Sequence, residues 1–454
     1  MKKIRISPVH FIPLSFVAAI VLGTLLLMIP AATAPGNSTD LLTALFTATT
    51  SVCVTGLVVV DTYAHWSLLG QIIMLLLVQI GGLGVVAVAS MIMILGKRKF
   101  SLGDRILLEN SLNVEKNTGL LAFLKRVFKS VFITEGIGAV LYAVKFVPLL
   151  GPAKGIWASV FQSVSAFCNA GMDVIGPDSM IIFNDSPYLM ILTMILITLG
   201  GLGFVVWFDV AEVIRNSIRH RFSPRVMISR LSEHSKLVLV VSAVLVVSGA
   251  AVVFFAEYSN PDTMGSMTLP DKIMNSFFQS VTFRTAGFAS VPQDGLTEET
   301  CFTGFVLMFI GGSPVGTAGG VKTVTAVLFL FNALSYMQGK DETTVFRRRV
   351  TEEMMRKASA IVFVSMSAVF IMISLLMAGG GIALTDAAYE IVSALSTVGL
   401  SRNLTSHLDT YGRIIVIVSM YLGRIGPISM AVFFSSDRRT NNMIRHSEGE
   451  FYVG

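Results

Sequence analysis

The sequence predicts an all-α membrane protein with eight spans arranged in four repeats. Of its 454 residues, 53% are hydrophobic and only 14% are charged, and the mean hydropathy is +0.74. Soluble domains contain about a quarter charged residues, so this chain lacks the polar residues needed to coat several soluble domains. A short glycine-containing segment also recurs about every 115 residues. Composition therefore indicates the membrane, and the repeat indicates how the spans are grouped.

Eight apolar stretches are each long enough to cross a hydrocarbon core about 30 Å thick as a helix. They are Phe11–Ala32, Leu68–Leu95, Val131–Leu150, Tyr188–Val210, Leu237–Ala256, Cys301–Leu334, Ala358–Met377 and Ile414–Phe434. The even number predicts that both termini lie on the same side. The first stretch follows a basic start, as a secretory signal core does, but it is longer than such a core and seven more stretches follow. We therefore expect a retained helix.

The basic residues alternate between connections. Both tails and the connections 97–129, 215–236 and 340–357 hold 26 of the 34 Lys and Arg residues. The positive-inside rule predicts that these segments and both termini are cytoplasmic. This distribution accounts for the net charge of +6 without a nucleic-acid partner. The other side is rich in acids, which either attract cations or only solvate the loops. They are Asp61, Asp173, Asp178, Asp185, Asp294, Glu298, Glu299 and Asp409.

Enzymatic chemistry has little support in the sequence. Three cysteines and six scattered histidines provide neither a disulfide framework nor a paired metal site. The sequence contains no Ser/His/Asp constellation and no H-E-x-x-H motif of a hydrolase. We therefore expect no enzyme and no organic cofactor in this chain.

A fourfold repeat organises the predicted external side. Four similar segments, each too short to span a membrane, end near glycines that are separated by 115, 116 and 112 positions. These glycines are Gly56, Gly171, Gly287 and Gly399. The repeating unit is a helix, a re-entrant half-helix with an extended loop, and a second helix. The units are predicted to occupy residues 1–96, 97–213, 214–340 and 341–454.

Four extended loops around one axis can form a cation path. Irregular backbone at membrane depth requires burial in protein or contact with a watery path. A ring of inward carbonyls replaces the hydration shell of an alkali cation, and glycine adopts the positive φ that such a turn needs. The half-helices would direct the negative ends of their dipoles to the same axis. The fold class predicted is therefore a pseudo-fourfold arrangement around a central ion pore.

A second glycine motif follows each loop. It reads Gly-Gly-Leu-Gly at 81–84 and 200–203, Gly-Gly-Ser-Pro at 311–314 and Gly-Arg-Ile-Gly at 423–426. Close helix packing through small residues explains this motif as well as a functional role does.

The sixth span is predicted to break. Five glycines and a proline between positions 311 and 322 are incompatible with a continuous helix. We expect this segment to form a lid across the pore, below the ring of carbonyls. The alternative is a helix kink that is stabilised by neighbouring helices. The predicted gating residues are Gly311, Gly312, Ser313, Pro314, Gly316, Thr317, Gly319, Gly320, Lys322 and Arg424.

Three charged residues within predicted spans or re-entrant loops carry separate expectations. Arg424 replaces a glycine of the second motif, and it either raises the barrier to cations or tethers backbone carbonyls. Arg284 lies in a third loop that is one residue short, and we expect it to point away from the axis and pair with Asp271. Glu135, the fifth residue of its span, is expected to be interfacial.

The loop sequences resemble a known superfamily. Thr397–Leu400 is similar to a degenerate potassium-channel filter, and the plan of helix, re-entrant segment and helix (M1–P–M2) resembles the Trk/Ktr/HKT superfamily of potassium transporters. Within it, Val52–Leu57, Asn169–Gly171 and Arg284–Phe288 look most like the membrane subunit of bacterial Ktr systems, KtrB.

The resemblance implies the site and the partners. The implied filter residues, which would bind K⁺ through backbone carbonyls, are Val54, Thr55, Gly56, Asn169, Ala170, Gly171, Thr285, Ala286, Gly287, Thr397, Val398 and Gly399. It also implies a homodimer in the plasma membrane and a separate cytosolic ring of nucleotide-binding RCK domains. The residues leave sodium coupling open. An alternating-access carrier for a small solute is the rival interpretation, because broken helices and repeats occur there too.

Overall fold

The computed structural model describes residues 8–426 except 86, 89, 92–119, 177, 222 and 341. Within this part the chain is mostly helical, and its sheet is a two-stranded hairpin of β1 (Thr344–Val345) and β2 (Arg348–Arg349). The helices are α1 (Pro8–Leu27), α2 (Leu41–Cys53), α3 (Thr62–His65), α4 (Leu68–Leu83), α5 (Leu120–Leu150), α6 (Pro152–Cys168), α7 (Pro187–Leu202), α8 (Phe204–His220), α9 (Pro224–Arg230), α10 (Glu233–Glu257), α11 (Leu269–Phe283), α12 (Glu298–Phe309), α13 (Thr323–Met337), α14 (Glu352–Ala378), α15 (Leu384–Leu395) and α16 (Thr410–Ile425).

Four groups of three helices recur along the chain. Each group, called a unit below, has a first helix, a short helix and a second helix. Unit 1 is α1, α2 and α4; unit 2 is α5, α6 and α7; unit 3 is α10, α11 and α12; unit 4 is α14, α15 and α16. The short helices have 13, 17, 15 and 12 residues. Each short helix packs against both other helices of its own unit.

Local sequence explains where the short helices begin. Asp40 caps α2 by accepting a hydrogen bond from the backbone N–H of Leu42 at 3.2 Å, which satisfies a free donor of the first turn. A hydrogen bond with Thr43 lowers the pKa of Asp40 from its ordinary value. Pro152 opens α6, where a missing N–H costs nothing. Thr268 caps α11 through the N–H of Asp271.

The units contact one another in a closed cyclic order. The second helix of each unit packs against the short helix of the next unit, and the last unit contacts the first in the same way. The contacting pairs are α4 with α6, α7 with α11, α12 with α15, and α16 with α2. Four short helices are thereby surrounded by the other helices of the units. This order brings the ends of the four short helices together.

Span lengths differ from the sequence prediction. Among the described residues, Ala122–Leu150, Glu233–Glu257 and Glu352–Ala378 are long and apolar enough to cross a membrane. A fourth span is obtained if Pro187–Leu202 and Phe204–His220, which bend by 102°, count as one. The shorter apolar helices are Phe11–Leu27, Leu41–Cys53, Leu68–Leu83 and Thr323–Met337.

The expectation of continuous helices over Leu68–Leu95 and Tyr188–Val210 is wrong. The first helix ends at Leu83, and the second is interrupted at Gly203. Gly84 and Gly203 have φ values of 89° and 86°, which a right-handed helix excludes. The span predicted to begin at Ile414 likewise ends before Gly426, at φ 85°, and its predicted remainder to Phe434 lies outside the described residues. Hydropathy cannot detect such a break, because both flanking segments are apolar.

Large apolar side chains cover the outer surface of the longer helices. Phe363 and Phe370 on α14 are 73% and 64% exposed, and Val140 on α5 is 68% exposed. Soluble proteins rarely present so many exposed apolar groups on contiguous helix faces. This surface suits a multi-pass membrane protein.

Candidate functional site

Each short helix ends in a three-residue turn at the centre of the four units. We call these turns the triplets. They consist of Val54–Gly56, Asn169–Gly171, Thr285–Gly287 and Thr397–Gly399. The first residue of each triplet has a left-handed φ of 55°, 59°, 66° and 52°, and the glycines have φ values of 101°, 65°, 86° and 98°. Four equivalent positions thus share a conformation that non-glycine residues rarely adopt.

The left-handed residue ends the helix and orients the next peptide. In each triplet the middle N–H donates to a carbonyl of the last helical turns, as at helix ends that finish in a left-handed residue. These bonds are Thr55 N to Thr50 O at 2.9 Å, Ala170 N to Ser165 O at 2.8 Å, Ala286 N to Thr282 O at 3.0 Å and Val398 N to Ser393 O at 2.8 Å. Because a trans peptide points its N–H and C=O in opposite directions, the carbonyl of each first residue points away from its helix.

The four triplets contact one another around a ring. Each glycine faces the middle carbonyl oxygen of the following triplet so closely that a Cβ atom would collide with it. The pairs are Gly56 with Ala170, Gly171 with Ala286, Gly287 with Val398, and Gly399 with Thr55. Any side chain at these glycines would therefore displace a neighbouring carbonyl. The packing therefore accepts only glycine at these four positions.

A vestibule opens on one side of this ring. It has a volume of about 530 Å³, and all four triplet glycines line it. Four carboxylates of the vestibule wall, Asp61, Asp173, Asp178 and Asp294, also line it. A cavity with this charge raises the local concentration of cations and repels anions.

The opposite side of the ring is covered by residues 310–322, which we call the crossing loop. It joins α12 to α13, and its arms pair through Gly311 N to Val321 O at 3.1 Å and Gly312 N to Gly319 O at 3.3 Å. Gly319 donates from its N–H to Thr285 Oγ1 at 3.2 Å, and a Cβ on Gly319 would collide with Thr397 Oγ1. The loop therefore lies directly against two triplets.

The tip of the crossing loop, between its two paired arms, is bound to unit 2. Ser313 N donates to Gly201 O at 2.9 Å, and Thr317 N donates to Gly200 O at 3.1 Å. Thr317 Oγ1 also donates to the carbonyl of Phe167, near the end of α6, at 3.1 Å.

The remaining predicted gating residues also belong to this loop or adjoin it. Pro314 and Gly316 lie against Gly203 of unit 2. Gly320 has a φ of 69°, and Lys322 donates from Nζ to Ala318 O at 2.6 Å. The two arms of the loop thus bond to each other at its base, and its tip is bound to unit 2.

Arg424 joins the crossing loop to unit 1. Its Nη1 donates to Thr317 O at 2.9 Å, and its Nη2 donates to Gly81 O at 2.6 Å. The guanidinium thus tethers backbone carbonyls, which was one of the two sequence-based interpretations. It also places a positive charge beside the loop. The two interpretations are compatible, because one side chain can do both.

The predicted pair of Arg284 and Asp271 is wrong. Arg284 Nη2 donates to Ser242 Oγ on α10 at 3.3 Å and to Gly311 O at 3.4 Å. Asp271 instead accepts a hydrogen bond from Thr268 Oγ1 at 2.5 Å, at the opposite end of α11. Arg284 caps the carboxyl end of α11, where a cation is stabilised by the helix dipole. The side chain therefore links unit 3 to the start of the crossing loop.

Glu135, for which the sequence predicted an interfacial position, is buried inside the protein. Glu135 lies in the middle of α5, and it is 5% exposed. It accepts a hydrogen bond from Gln79 Nε2 on α4 at 3.1 Å. The predicted span began at Val131, whereas the helix begins at Leu120, so this residue was placed too near a helix end. Polar residues between 120 and 131 lower the hydropathy there, so hydropathy did not detect the beginning of the helix.

The Gly-Gly-Leu-Gly motif and its fourth-unit counterpart both pack and break a helix. The first glycine packs against a carbonyl near the end of the short helix of the same unit, with Gly81 against Val52, Gly200 against Phe167 and Gly423 against Leu395. The last position ends the helix, at Gly84, Gly203 and Gly426, each with a positive φ. The predicted spans continued through these breaks, although the repeated final glycine was the available signal.

In the described part of the chain, no group of three or more His, Cys, Asp or Glu side chains is arranged to hold a metal. The polar atoms that converge on the axis are backbone carbonyls. Backbone carbonyls grouped in this way can replace the hydration shell of an alkali cation.

The fold and this site define a helical membrane protein with a central ring of backbone turns. A family model described as TrkH, cation transport protein, matches residues 9–443. This chain belongs to the TrkH/Ktr family of cation transport proteins, which is not a class of enzymes.

Several relatives match over nearly the whole chain. The Ktr system potassium uptake protein B of Bacillus subtilis is 36% identical, and the match covers 100% of this chain and 98% of that protein. The potassium/sodium uptake protein NtpJ of Enterococcus hirae is 36% identical, and the match covers 95% of this chain and 93% of that protein. The crystal structure of the potassium transporter TrkH from Vibrio parahaemolyticus matches with a TM-score of 0.75 at 15% identity, covering 96% of this chain and 86% of that chain. At that identity the structural match shows the fold alone.

Proposed function

We propose that this chain is the ion-translocating subunit of a potassium uptake system in the plasma membrane. One observation carries the proposal: four equivalent triplets contact one another cyclically and present backbone carbonyls between a vestibule and a loop. Eight spans in four pseudo-fourfold repeats, over residues 1–96, 97–213, 214–340 and 341–454, form the surrounding pore. Both termini are cytoplasmic in this proposal.

The proposed selectivity filter consists of the twelve triplet residues. The carbonyl oxygen of each first triplet residue points away from its helix, and the middle carbonyls lie beside the neighbouring glycines. These first residues are Val54, Asn169, Thr285 and Thr397. Such oxygens substitute for the water around a dehydrated potassium ion. The carboxyl ends of α2, α6, α11 and α15 lie behind the triplets and favour positive charge on the axis. The family relatives named for potassium uptake support this choice of ion.

The crossing loop is the proposed gate. It covers the ring on the side away from the vestibule, and hydrogen bonds to units 1, 2 and 3 hold it there directly or through Arg424. A cation that leaves the triplets must pass the loop and the charge of Arg424. We expect the loop to move when the transporter opens. Its glycines permit such a movement because few side chains must repack.

A cytosolic regulatory subunit and a second copy of this chain are the proposed partners. The relative named as a Ktr system potassium uptake protein B indicates a system with more than one component. We propose a ring of nucleotide-binding RCK domains as regulator, bound to the basic cytoplasmic connections, and a homodimer of pores in the lipid bilayer. Of these connections, residues 97–119 lie outside the described part of the chain.

Ion flux from purified protein in liposomes tests the function. Rubidium uptake driven by an imposed potassium gradient should exceed uptake under an equal sodium gradient. Flux that requires sodium on the same side would indicate coupling, which the potassium/sodium name of the Enterococcus hirae relative makes worth testing. Strict exchange of solute for solute, without net current, would favour an alternating-access carrier. No cation flux at all would refute the proposal.

The Gly56→Ser variant tests the filter itself. Gly56 has a φ of 101°, and a Cβ there would lie 2.5 Å from Ala170 O, so the variant must shift a carbonyl of unit 2. We expect lower discrimination between potassium and sodium, measured as sodium inhibition of rubidium uptake. Gly36→Ser is the matched control, because Gly36 has a φ of 90° but no atom within 4 Å of a Cβ. Unchanged selectivity in Gly56→Ser would remove this residue from the filter.

A further inference from the structure

The triplets are held from behind by four side-chain hydroxyls that the filter assignment leaves unused. They come from the last turns of the four short helices, and they are Thr50, Ser165, Thr282 and Ser393. All four side chains are buried. Their positions are equivalent, yet their hydrogen bonds divide them into two pairs.

In units 1 and 4 the hydroxyl accepts a hydrogen bond from the triplet glycine. Gly56 N donates to Thr50 Oγ1 at 2.9 Å, and Gly399 N donates to Ser393 Oγ at 3.0 Å. Because the peptide unit is planar and trans, an N–H directed to the helix turns the carbonyl of the preceding residue the other way. These two bonds therefore direct the carbonyls of Thr55 and Val398 away from their own helices, toward the ion path.

In units 2 and 3 the hydroxyl donates to a carbonyl beyond the glycine. Ser165 Oγ donates to Met172 O at 2.5 Å, and Thr282 Oγ1 donates to Phe288 O at 2.7 Å. The same peptide geometry now turns these carbonyls away from the vestibule and the next N–H groups toward it. Ser165 and Thr282 therefore hold peptides on the vestibule side of the triplet glycines, whereas Thr50 and Ser393 hold the peptides of the triplets themselves.

We propose that Thr50 and Ser393 are positioning residues for selectivity, and that Ser165 and Thr282 are positioning residues for cation entry. Thr50 and Ser393 fix two of the carbonyls that contact the dehydrated ion. Ser165 and Thr282 fix the peptides that a cation meets before it enters the ring. This inference rests on the proposed function of the triplets as a potassium filter. It divides one ring into two halves with different tasks.

The first experiment removes the anchors one pair at a time. Thr50→Val and Ser393→Ala should each lower the sodium concentration that half-inhibits rubidium uptake by about two- to tenfold, the range expected for one lost hydrogen bond. Thr50→Ser and Ser393→Thr retain the hydroxyl and should restore the selectivity of the unchanged chain. Ser165→Ala and Thr282→Val should instead change the KM for rubidium, with the sodium-to-potassium preference unchanged.

Two matched controls separate positioning from simple folding effects. Ser159 and Ser276 are buried hydroxyls on α6 and α11 whose oxygen acceptors lie in their own helices, Gly155 O at 2.6 Å and Lys272 O at 2.7 Å. Ser159→Ala and Ser276→Ala should change neither selectivity nor KM. Thermal melting of all variants in detergent checks their folding. Ser393→Ala, the smallest change, tests the claim even if Thr50→Val fails to fold.

Three results would overturn the inference. Wild-type selectivity in Ser393→Ala, together with altered selectivity in Gly56→Ser, would leave the filter in place and remove the anchors. Equal selectivity shifts in the variants of Thr50 and Ser393 and in those of Ser165 and Thr282 would show that the two halves of the ring do not have different tasks. Failure of Gly56→Ser, Thr50→Val and Ser393→Ala alike to change selectivity would refute the filter assignment and the inference with it.

Discussion

The second helix of unit 3 breaks differently from those of units 1 and 2. In units 1 and 2 the helix is interrupted at a single glycine, Gly84 and Gly203 respectively. In unit 2 the axes of the helices before and after this glycine differ by 102°. In unit 3 the break extends over residues 310–322 and forms the crossing loop. A one-residue break leaves few backbone groups to satisfy, whereas the long break needs partners for many.

The partners of the crossing loop explain why it can cover the ring. Its backbone groups bond to one another and to the carbonyls of Gly200 and Gly201, so little of the loop depends on water. The break in unit 2 is itself part of this arrangement, since Phe204 N donates to Val315 O at 2.9 Å. A simple helix break therefore supports the longer one. The comparison predicts that changes in the loop alter flux most, and that changes in the simple breaks act only where they touch it.

Shortening the crossing loop should have the largest effect. Deletion of part of 312–320 removes the backbone that covers the ring, so rubidium flux into liposomes should rise and depend less on the regulatory subunit. We expect the rise to exceed that of any point variant below. Size-exclusion chromatography checks that the deletion variant remains monodisperse. Lower flux in a folded deletion variant would mean that the loop supports the conducting state.

Arg424→Ala should raise flux in the same direction. The change removes a unit charge and both tethers, to Thr317 O and Gly81 O. At an effective dielectric constant of about 20, a charge roughly 4 Å from the ion repels it by about 4 kcal/mol, so a rise of roughly tenfold or more is expected. Arg424→Lys keeps the charge with fewer donors and serves as control. The combined variant should rise less than the product of the two changes, because both act on one barrier.

Two glycine variants separate backbone strain from contact with the loop. Gly203→Ala and Gly84→Ala both place a side chain at a sparsely populated backbone conformation with positive φ, which costs about 1–3 kcal/mol in each. Only Gly203→Ala also brings a Cβ into collision with Pro314 O of the crossing loop, whereas Gly84 has no atom within 4 Å. Both variants should melt at lower temperatures, Gly203→Ala at the lower of the two because of the added collision, and only Gly203→Ala should change flux. Equal flux changes in the two would show that the breaks act without the loop.

Charge reversal in the hairpin of β1 and β2 should have the smallest effect on basal flux. The hairpin of β1 and β2 follows α13, the helix that emerges from the crossing loop, and its turn residues Phe346 and Arg347 have φ values of 48° and 64°. Changing Arg347, Arg348 and Arg349 to glutamate should abolish co-purification with the proposed regulatory ring while flux of the isolated pore is retained. The bonds lost are exposed pairs, such as Arg349 with Glu342 at 3.0 Å, and each contributes little to stability. Retained co-purification would assign these arginines to membrane topology or lipid head groups.

Much of the architecture follows from local sequence. Composition and hydropathy predict a helical membrane protein, because burial in lipid selects apolar side chains wherever the helix lies. The period of Gly56, Gly171, Gly287 and Gly399 predicts four equivalent turns, and all four have positive φ. The glycines and proline of 311–322 predict a non-helical segment, and helix α12 ends at Phe309. In each case the residue type itself restricts the backbone.

Other features depend on atoms far apart in the chain. Arg284 contacts Ser242 and Gly311 instead of Asp271, since the rigid length of α11 separates the two ends of that helix. Glu135 finds Gln79 only because α4 and α5 meet in the folded chain. Thr50 and Ser165 occupy equivalent sequence positions, yet one accepts and the other donates.

The sequence by itself determined the apolar helical character of this protein and its four glycine turns. The tertiary structure decided where the second helices of units 1, 2 and 4 end and which hydrogen-bond partners the polar side chains have. The physical reason is that a hydroxyl or guanidinium can bond to any complementary group that packing brings within about 3 Å, and packing is a property of the whole chain.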